Sequence, residues 1–268
     1  MSHAKYFIIA AIVAVQAAGS AAWAQSTYSY QITADTYIDS KNSTLNYGTS
    51  GSDKVVDSTT PCNTLFALPA NLFTYSPGTI QSAMVSFYAF QTNGTLLAGE
   101  NTISLYPLTQ EFVAGTGTKN GTAGAGATWL TYDGANPWTA PGGDYDAENP
   151  VAGITTPSIV YNGSSVGVQT GDAPNGATFF TFNITPLLTN SRTDTELQDN
   201  GAILILGSGA NPQSYVSLVS ADTTAANNTP AYRPLLDVTV VPEPSSLMLL
   251  LIGLSGIACF LSKRKIRC

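Results

Sequence analysis

Short runs of mixed apolar and polar residues follow one another along most of the chain, separated by clusters of turn-forming residues. In one of them, Val85, Phe87 and Ala89 share one face of a pleated strand, and the residues between them lie on the other face. Equivalent β-rich runs cover Ser82 to Phe90, Asn101 to Leu108, Ala177 to Thr185, Ala202 to Leu206, Tyr215 to Ser220 and Leu235 to Val241.

The breaks between these runs carry turn signals such as Asn93-Gly94, Asn162-Gly163 and Asn175-Gly176. Asn and Gly tolerate positive φ, which tight turns require. No stretch shows a sustained helical period, and only Pro186 to Glu196 is expected to hold a helical turn. The pattern predicts an all-β fold: a single antiparallel β-sandwich, with jelly-roll connectivity as the favoured form.

The N-terminus has the three parts of a secretory signal peptide. Lys5 precedes an apolar stretch from Tyr6 to Val15, and small residues continue to Ala22-Trp23-Ala24. We therefore expect residues 1–24 to be removed before Gln25 and the protein to be exported. The folded domain is predicted to cover residues 25–241.

The C-terminus has an apolar segment with charged residues behind it. The fifteen residues from Leu247 to Leu261 are uncharged and would span about 22 Å as a helix, against about 30 Å for a hydrocarbon core. Pro242, Glu243 and Pro244 precede the segment, and it is followed by the basic residues Lys263, Arg264, Lys265 and Arg267. A plain membrane anchor with a cytoplasmic C-terminus is one interpretation.

The order of these three parts closely resembles the PEP-CTERM sorting signal of Gram-negative bacteria. The resemblance covers residues 242–268 and implies an exosortase-type processing enzyme as partner. It also implies transient contact with the inner membrane through the helix, followed by processing near the motif. The expected destination is the cell surface or the extracellular matrix.

Removing both ends restricts the chemistry that remains. The sole histidine, His3, lies in the signal peptide, and Cys62 is the one cysteine of residues 25–241. This excludes histidine-based triads, zinc sites built from His and Cys, and an intramolecular disulfide. We expect Cys62 to be a buried structural thiol.

The charge of this segment restricts its partners. Residues 25–241 contain five Lys and Arg against sixteen Asp and Glu, a net charge of −11, compared with −7 for the whole chain. Such a surface excludes nucleic acid as a partner and favours neutral polysaccharides or protein surfaces.

An ordered set of segments along the domain resembles the DNRLRE-domain proteins, secreted β-sandwich modules classed among carbohydrate-binding modules. Three departures occur: Asn63 replaces a common Arg, Phe112 replaces a frequent Trp, and Asn183 replaces the usual Asp. The six-letter run that names the family is absent. The segments that carry the resemblance are ADTYIDSKNSTLNYGTS from Ala34, TLFALP from Thr64, SAMVSFY from Ser82, ATWLTYDGANPWTAPGGDYD from Ala127, TFNITPLL from Thr181, NGAILIL from Asn200 and YRPLLDVTV from Tyr232.

A long loop from Thr128 to Pro150 is the predicted carbohydrate-binding region. Aromatic faces stack on the apolar side of a sugar ring while carboxylates accept hydrogen bonds from its hydroxyls. We expect Trp129 to lie in a Thr-Trp strand and to belong to the core. In the alternative interpretation, the loop is a structural cap. The candidate contact residues are Trp138, Tyr145, Tyr132, Asp133 and Asp144.

Calcium is the one cofactor that the sequence suggests. Asp144, Asp146 and Glu148 alternate along an extended loop, and hard cations bind such carboxylates. Asp35 and Asp39 form a second candidate pair. Carboxylates that only maintain solubility are the competing explanation, in which case no cofactor is expected.

These observations favour a non-catalytic surface or matrix protein that contacts polysaccharide. The first alternative is a biofilm scaffold with no specific glycan ligand. The second is a polysaccharide-degrading enzyme that uses a pair of carboxylates.

Overall fold

The computed structural model describes residues 25–69, 79–93, 102–155, 178–188, 190–207, 214–223 and 232–241. The predicted signal peptide and the predicted C-terminal sorting signal lie outside these ranges. Within them, no helix is long and apolar enough to cross a membrane.

The chain divides into two compact units. The larger is Tyr28–Val238 and holds the sheet and the sites discussed below. The smaller comprises Met1–Thr27 and Thr239–Cys268; in its described part, the hydroxyls of Thr27 and Thr239 are hydrogen-bonded at 3.0 Å.

The described elements are almost all strands. They are β1 (Ser26–Gln31), β2 (Asp35–Asp39), β3 (Leu45–Asn46), β4 (Ser52–Asp57), β5 (Cys62–Phe66), β6 (Ile80–Asn93), β7 (Thr102–Pro107), β8 (Thr122–Ala123), β9 (Val151–Thr155), β10 (Thr178–Asn183), β11 (Ala202–Gly207), β12 (Ser214–Val219) and β13 (Leu235–Val240). Two helices, α1 (Thr185–Leu188) and α2 (Ser191–Asn200), overlap the stretch Pro186 to Glu196, for which the sequence predicts a helical turn. The helix α2 is longer than expected and ends four residues beyond that stretch.

The strands form an antiparallel network in the order β1-β13-β6-β12-β4-β5-β11-β7-β9, and β3 and β8 form a separate pair. Two strands have extra partners: β10 pairs with β6 and β2 pairs with β5. Along β6, residues 84–89 pair with β10 and residues 89–93 pair with β12. A strand that changes partners along its length lets one network fold into two packed layers. The predicted all-β antiparallel fold is confirmed and is consistent with a sandwich; the jelly-roll connectivity stays a prediction.

The strand β6 shows why this sequence forms a sheet with a core. Ala83, Val85 and Phe87 are at most 1% exposed, whereas the side chains between them are half-buried. The ring of Phe87 meets Phe66 of β5 edge-on at 4.9 Å and Phe182 of β10 at 6.3 Å. Burial of these three rings is worth several kcal/mol, and edge-to-face geometry adds to it.

The segment between β7 and β9 has little strand pairing of its own, and beside its own backbone hydrogen bonds it is held by the side chain of Asn46. Nδ2 of Asn46 donates to the carbonyls of Ala114 (2.7 Å) and Ala127 (2.8 Å). Its Oδ1 accepts from the backbone N–H groups of Gly48 (3.1 Å) and Gly117 (2.8 Å). Asn46 is fully buried, and these four bonds use both donors and both acceptor sites of its amide.

Close approach of backbone segments around Asn46 explains why two neighbouring positions, Gly48 and Gly117, are glycines. A Cβ on Gly48 would lie 2.1 Å from the carbonyl oxygen of Ala114, and one on Gly117 would lie 1.9 Å from that of Asn46. Neither position can hold a larger residue without moving backbone. The Asn-Tyr-Gly segment therefore joins two parts of the chain and is more than a local turn.

We predict that Asn46→Ala lowers the free energy of unfolding by about 3 kcal/mol or more, because it leaves several buried backbone groups without partners. Urea unfolding followed by fluorescence measures the change. Asn42→Ala is the matched control, since this exposed amide bonds Asp39 and its loss should cost less than about 0.5 kcal/mol. Equal losses for the two variants would contradict the role assigned to Asn46.

Candidate functional site

The loop predicted to contact carbohydrate is folded around Trp138, which is 4% exposed. Its indole Nε1 donates to the carbonyl of Thr128 at 2.9 Å. The ring of Tyr132 meets it edge-on at 5.8 Å. Trp138 packs with Ile38, Leu65 and Ile203 of the sheet in one hydrophobic cluster. Its aromatic face is used inside the protein, so it does not offer a surface for stacking a sugar.

Trp129 is half-buried at the edge of the same cluster. It lies in a bend, not a strand, so the expectation of a Thr-Trp strand is wrong. Oγ1 of Thr128 accepts from the backbone N–H groups of Leu130 and Thr131, both at 3.1 Å, and this turn breaks the extended backbone. The ring of Trp129 lies over Gly142, where a Cβ would be 2.9 Å from it.

Asn63 ties the loop to the sheet. Its Nδ2, on β5, donates to the carbonyl of Gly142 at 2.9 Å. In the resemblance to DNRLRE-domain proteins, Asn63 is a departure at a position where Arg is common. The structure gives it a buried role that nothing local in the sequence shows, because the partner is far along the chain.

The carboxylates of the loop mostly hold turns. Asp133 accepts from the N–H groups of Ala135 (2.8 Å) and Asn136 (2.6 Å), and these hydrogen bonds lower the pKa of Asp133 below its ordinary value. Asp144 accepts from the N–H groups of Thr139 (2.7 Å) and Ala140 (3.1 Å). Both carboxylates therefore already have donors within the loop.

The alternating acidic residues do not form a metal centre. Asp146 is 3% exposed and accepts from the N–H of Glu148 (3.1 Å) and from Nδ2 of Asn149 (2.7 Å). Throughout the described ranges, no three His, Cys, Asp or Glu side chains form a metal-binding group. Asp35 and Asp39 begin and end β2, which puts them about 13 Å apart at the rise of a strand. They cannot share one ion.

Tyr145 is the candidate residue that remains available at the surface, at 37% exposed. Its ring packs against the half-buried Tyr106 of β7 with 4.9 Å between centroids and 44° between planes. A bridge to Leu108 holds its backbone, and Leu130 of the same loop is 39% exposed. Tyr145 therefore offers an aromatic face on a fixed backbone.

A cleft of about 270 Å³ lies on another part of the sheet, lined among others by Asp39, Lys41, Lys54, Cys62 and Tyr215. Cys62 is free and buried, as the sequence predicts. Burial, with a smaller contribution from the negative charge of Asp39, raises the pKa of the Cys62 thiol to about 12. The thiol is therefore protonated at neutral pH and is a poor nucleophile.

Local sequence patterns do not indicate the pair formed by Asp35 and Asp53, each only 1% exposed. A side-chain hydrogen bond joins the two carboxyl groups. Burial raises the pKa of Asp35, and burial together with the charge of Asp35 raises the pKa of Asp53 well above its ordinary value. Finding this pair from sequence would require the register of β2 against β4, which local patterns do not contain.

We predict that Trp138→Ala costs about 3–5 kcal/mol of stability, because it empties a core site and leaves the Thr128 carbonyl without its donor. Tyr145→Ala is the matched aromatic control and should cost less than about 1 kcal/mol. Thermal and urea unfolding of both variants measure the difference. A stable Trp138→Ala protein would show that the loop does not depend on this ring.

We also predict that the native protein reacts slowly with iodoacetamide at pH 8, since a thiol of pKa about 12 is only about one part in 10,000 thiolate there. The rate should rise about tenfold per pH unit through pH 10, whereas an ordinary exposed thiol levels off above about pH 8.5. Protein unfolded in guanidinium is the control. A plateau near pH 9 in the native protein would contradict the burial of Cys62.

Comparison with known proteins identifies the C-terminal segment. No curated protein matches the chain. Residues 240–265, however, match the PEP-CTERM protein-sorting motif. The matched segment includes Pro242, Glu243 and Pro244, the apolar run and the first basic residues that follow it. The predicted sorting signal is thus confirmed, and the chain carries the recognition signal for exosortase processing at its C-terminus.

Proposed function

We propose that this protein is an exported, non-catalytic surface or matrix protein whose β domain contacts neutral polysaccharide. The sorting motif at residues 240–265 supports export and exosortase processing. The resemblance to DNRLRE-domain modules, together with a net charge of −11 in residues 25–241, supports a neutral glycan as the ligand. Contact with the membrane is transient in this proposal and uses the segment from Leu247 to Leu261.

The observation that carries the polysaccharide contact is the exposed ring of Tyr145 packed on Tyr106. A ring held by its neighbour loses little conformational freedom when a sugar stacks on it. The exposed Leu130 adds apolar surface on the same loop. In this proposal Tyr145 makes the stacking contact, while Trp138, Tyr132, Asp133 and Asp144 hold the loop that presents it.

One observation favours a scaffold with no specific glycan ligand instead. The buried Trp138 and the turn-forming carboxylates of Asp133 and Asp144 serve the fold of the loop. A loop of this kind can cap a sandwich without binding anything. Measured polysaccharide binding separates the two functions.

We predict that replacing Pro242, Glu243 and Pro244 by alanines blocks processing, so that a membrane-bound precursor accumulates. Fractionation and immunoblotting detect the precursor, and mass spectrometry of the wild-type secreted form should lack peptides through Lys263. A variant with Ser245 and Ser246 replaced by alanines controls for changes next to the motif. Normal release of the triple-alanine variant would overturn the assignment.

We predict that the processed, secreted protein is retarded in gels containing a neutral polysaccharide and that Tyr145→Ala weakens this binding about tenfold, through loss of one stacking face. Tyr28→Ala is the matched control, because Tyr28 is similarly exposed at 42% but lies on β1. Equal retardation of the two variants would show that Tyr145 does not contact the polysaccharide. No retardation of the wild type across a panel of neutral glycans would favour the scaffold.

A further inference from the structure

Three segments of the sheet meet at the buried carboxyl groups of Asp35 and Asp53. Asp35 is the first residue of β2, and Asp53 lies in β4 opposite Leu218 of β12. The chain turns directly after β12, and the residues of this turn reach Asp35. The hydroxyl of Ser220 donates to Oδ1 of Asp35 at 2.9 Å, and the N–H of Ala221 donates to Oδ2 at 2.7 Å.

The hydrogen bonding of this cluster is incomplete on the side of Asp53. Both oxygens of Asp35 have donors from the turn, and a hydrogen bond joins the two carboxyl groups. Oδ1 of Asp53, in contrast, is shielded from solvent and has no hydrogen-bond partner in the described part of the chain. A buried carboxylate oxygen without a partner is costly and rare in folded proteins.

The charges around the pair are also unbalanced. The negative charge of Asp222 acts on both buried carboxyls, and Arg233 acts on Asp222. The guanidinium of Arg233 donates through Nη2 to the carbonyl of Thr223 at 2.7 Å. When both buried carboxyls are ionised, three carboxylates and one guanidinium carry two net negative charges, which is the charge that a divalent cation neutralises.

We propose that Asp35 and Asp53 bind a calcium ion, with the hydroxyl of Ser220 as a neighbouring oxygen donor. Calcium takes about six to eight oxygen ligands, which include carboxylates, carbonyls and water, and two carboxylates balance its charge. The unpartnered oxygen Oδ1 of Asp53 would become a ligand of the ion. The ion would then join β2, β4 and the turn after β12. This site differs from the loop of Asp144, Asp146 and Glu148 and does not depend on polysaccharide binding.

A proton shared between the two carboxyls is the competing arrangement. It removes one negative charge but occupies one oxygen of each residue, so Oδ1 of Asp53 keeps no partner. The two arrangements respond differently to Asp53→Asn. A neutral amide removes a calcium ligand, whereas it replaces a protonated carboxyl with little loss.

The test uses the processed, secreted protein, stripped with EDTA and then measured in calcium-free buffer at pH 7 by scanning calorimetry. Adding calcium chloride should raise the thermal midpoint by about 5 °C or more when calcium is about a hundredfold above its Kd. Isothermal titration should give one ion per chain. Magnesium chloride should raise the midpoint less, because magnesium demands a stricter octahedral geometry.

Asp53→Asn should abolish the calcium-induced shift, while Asp39→Asn on the same sheet and Glu148→Gln in the loop should keep it. Absence of any calcium shift in the wild type would overturn the proposal, and a more stable Asp53→Asn protein would then indicate the shared proton. An undiminished shift in Asp53→Asn would also overturn it. If Asp53→Asn does not fold, the wild-type titration decides, since no heat of calcium binding contradicts the site.

Discussion

The backbone between β7 and β9 depends on the side chain of Asn46 more than on any strand of its own. This segment has only the two-residue strand β8 within the described elements, yet its peptide groups must find partners wherever they are buried. Asn46 supplies three of these contacts from one amide, at Ala114, Gly117 and Ala127, and its fourth hydrogen bond is to Gly48 in its own turn. With this segment fixed, the loop after it can place Trp138 in the core, and Asn63 can hold Gly142 against the sheet.

Residues 25–241 contain few lysines and arginines, so the hydrogen bonds of their carboxylates come mainly from other donors. Asp133 and Asp144, both partly exposed, lie in turns, where backbone N–H groups and nearby amides complete their hydrogen bonds. Hydrogen bonds of this kind stabilise partly exposed turns without lysine or arginine. Asp35 and Asp53 lie where turn amides reach only one of the two residues. The difference between the two groups is burial, since water can complete the hydrogen bonding of the first group but not of the second.

Periodicity was sufficient to predict strands but not to predict which aromatic residues enter the core. The alternation around Phe87 gave the correct buried face of β6, because a strand has a fixed period of two. The two tryptophans of the loop have no such period. Trp138 is buried because the Thr128 carbonyl and the Tyr132 ring complete its site, and both contacts follow from turns that the sequence pattern does not specify.

Contacts between side chains that are far apart in the sequence also cannot be predicted from local patterns. Asp35 and Asp39 form a candidate pair in the sequence, but the extended backbone of β2 keeps them apart. Asp53, on another strand, lies against Asp35 because β2 and β4 both pair with β5 and are brought together by the fold. Likewise, the Asn-Tyr-Gly segment predicts a turn correctly, and only the fold shows that its Asn also holds Ala114 and Ala127.

An exported domain with one buried thiol must obtain its stability from noncovalent contacts or from ions. A disulfide constrains the unfolded chain, and the mature segment has no second cysteine to form one internally. A cation that binds only the folded state stabilises by mass action instead, and the stabilisation grows with the logarithm of the cation concentration outside the cell. A calcium ion at Asp35 and Asp53 would therefore couple folding to export, because the buried charges would be neutralised mainly in the compartment that the sorting signal leads to. The acidic composition that excludes nucleic acid would then also supply the ligands for this step.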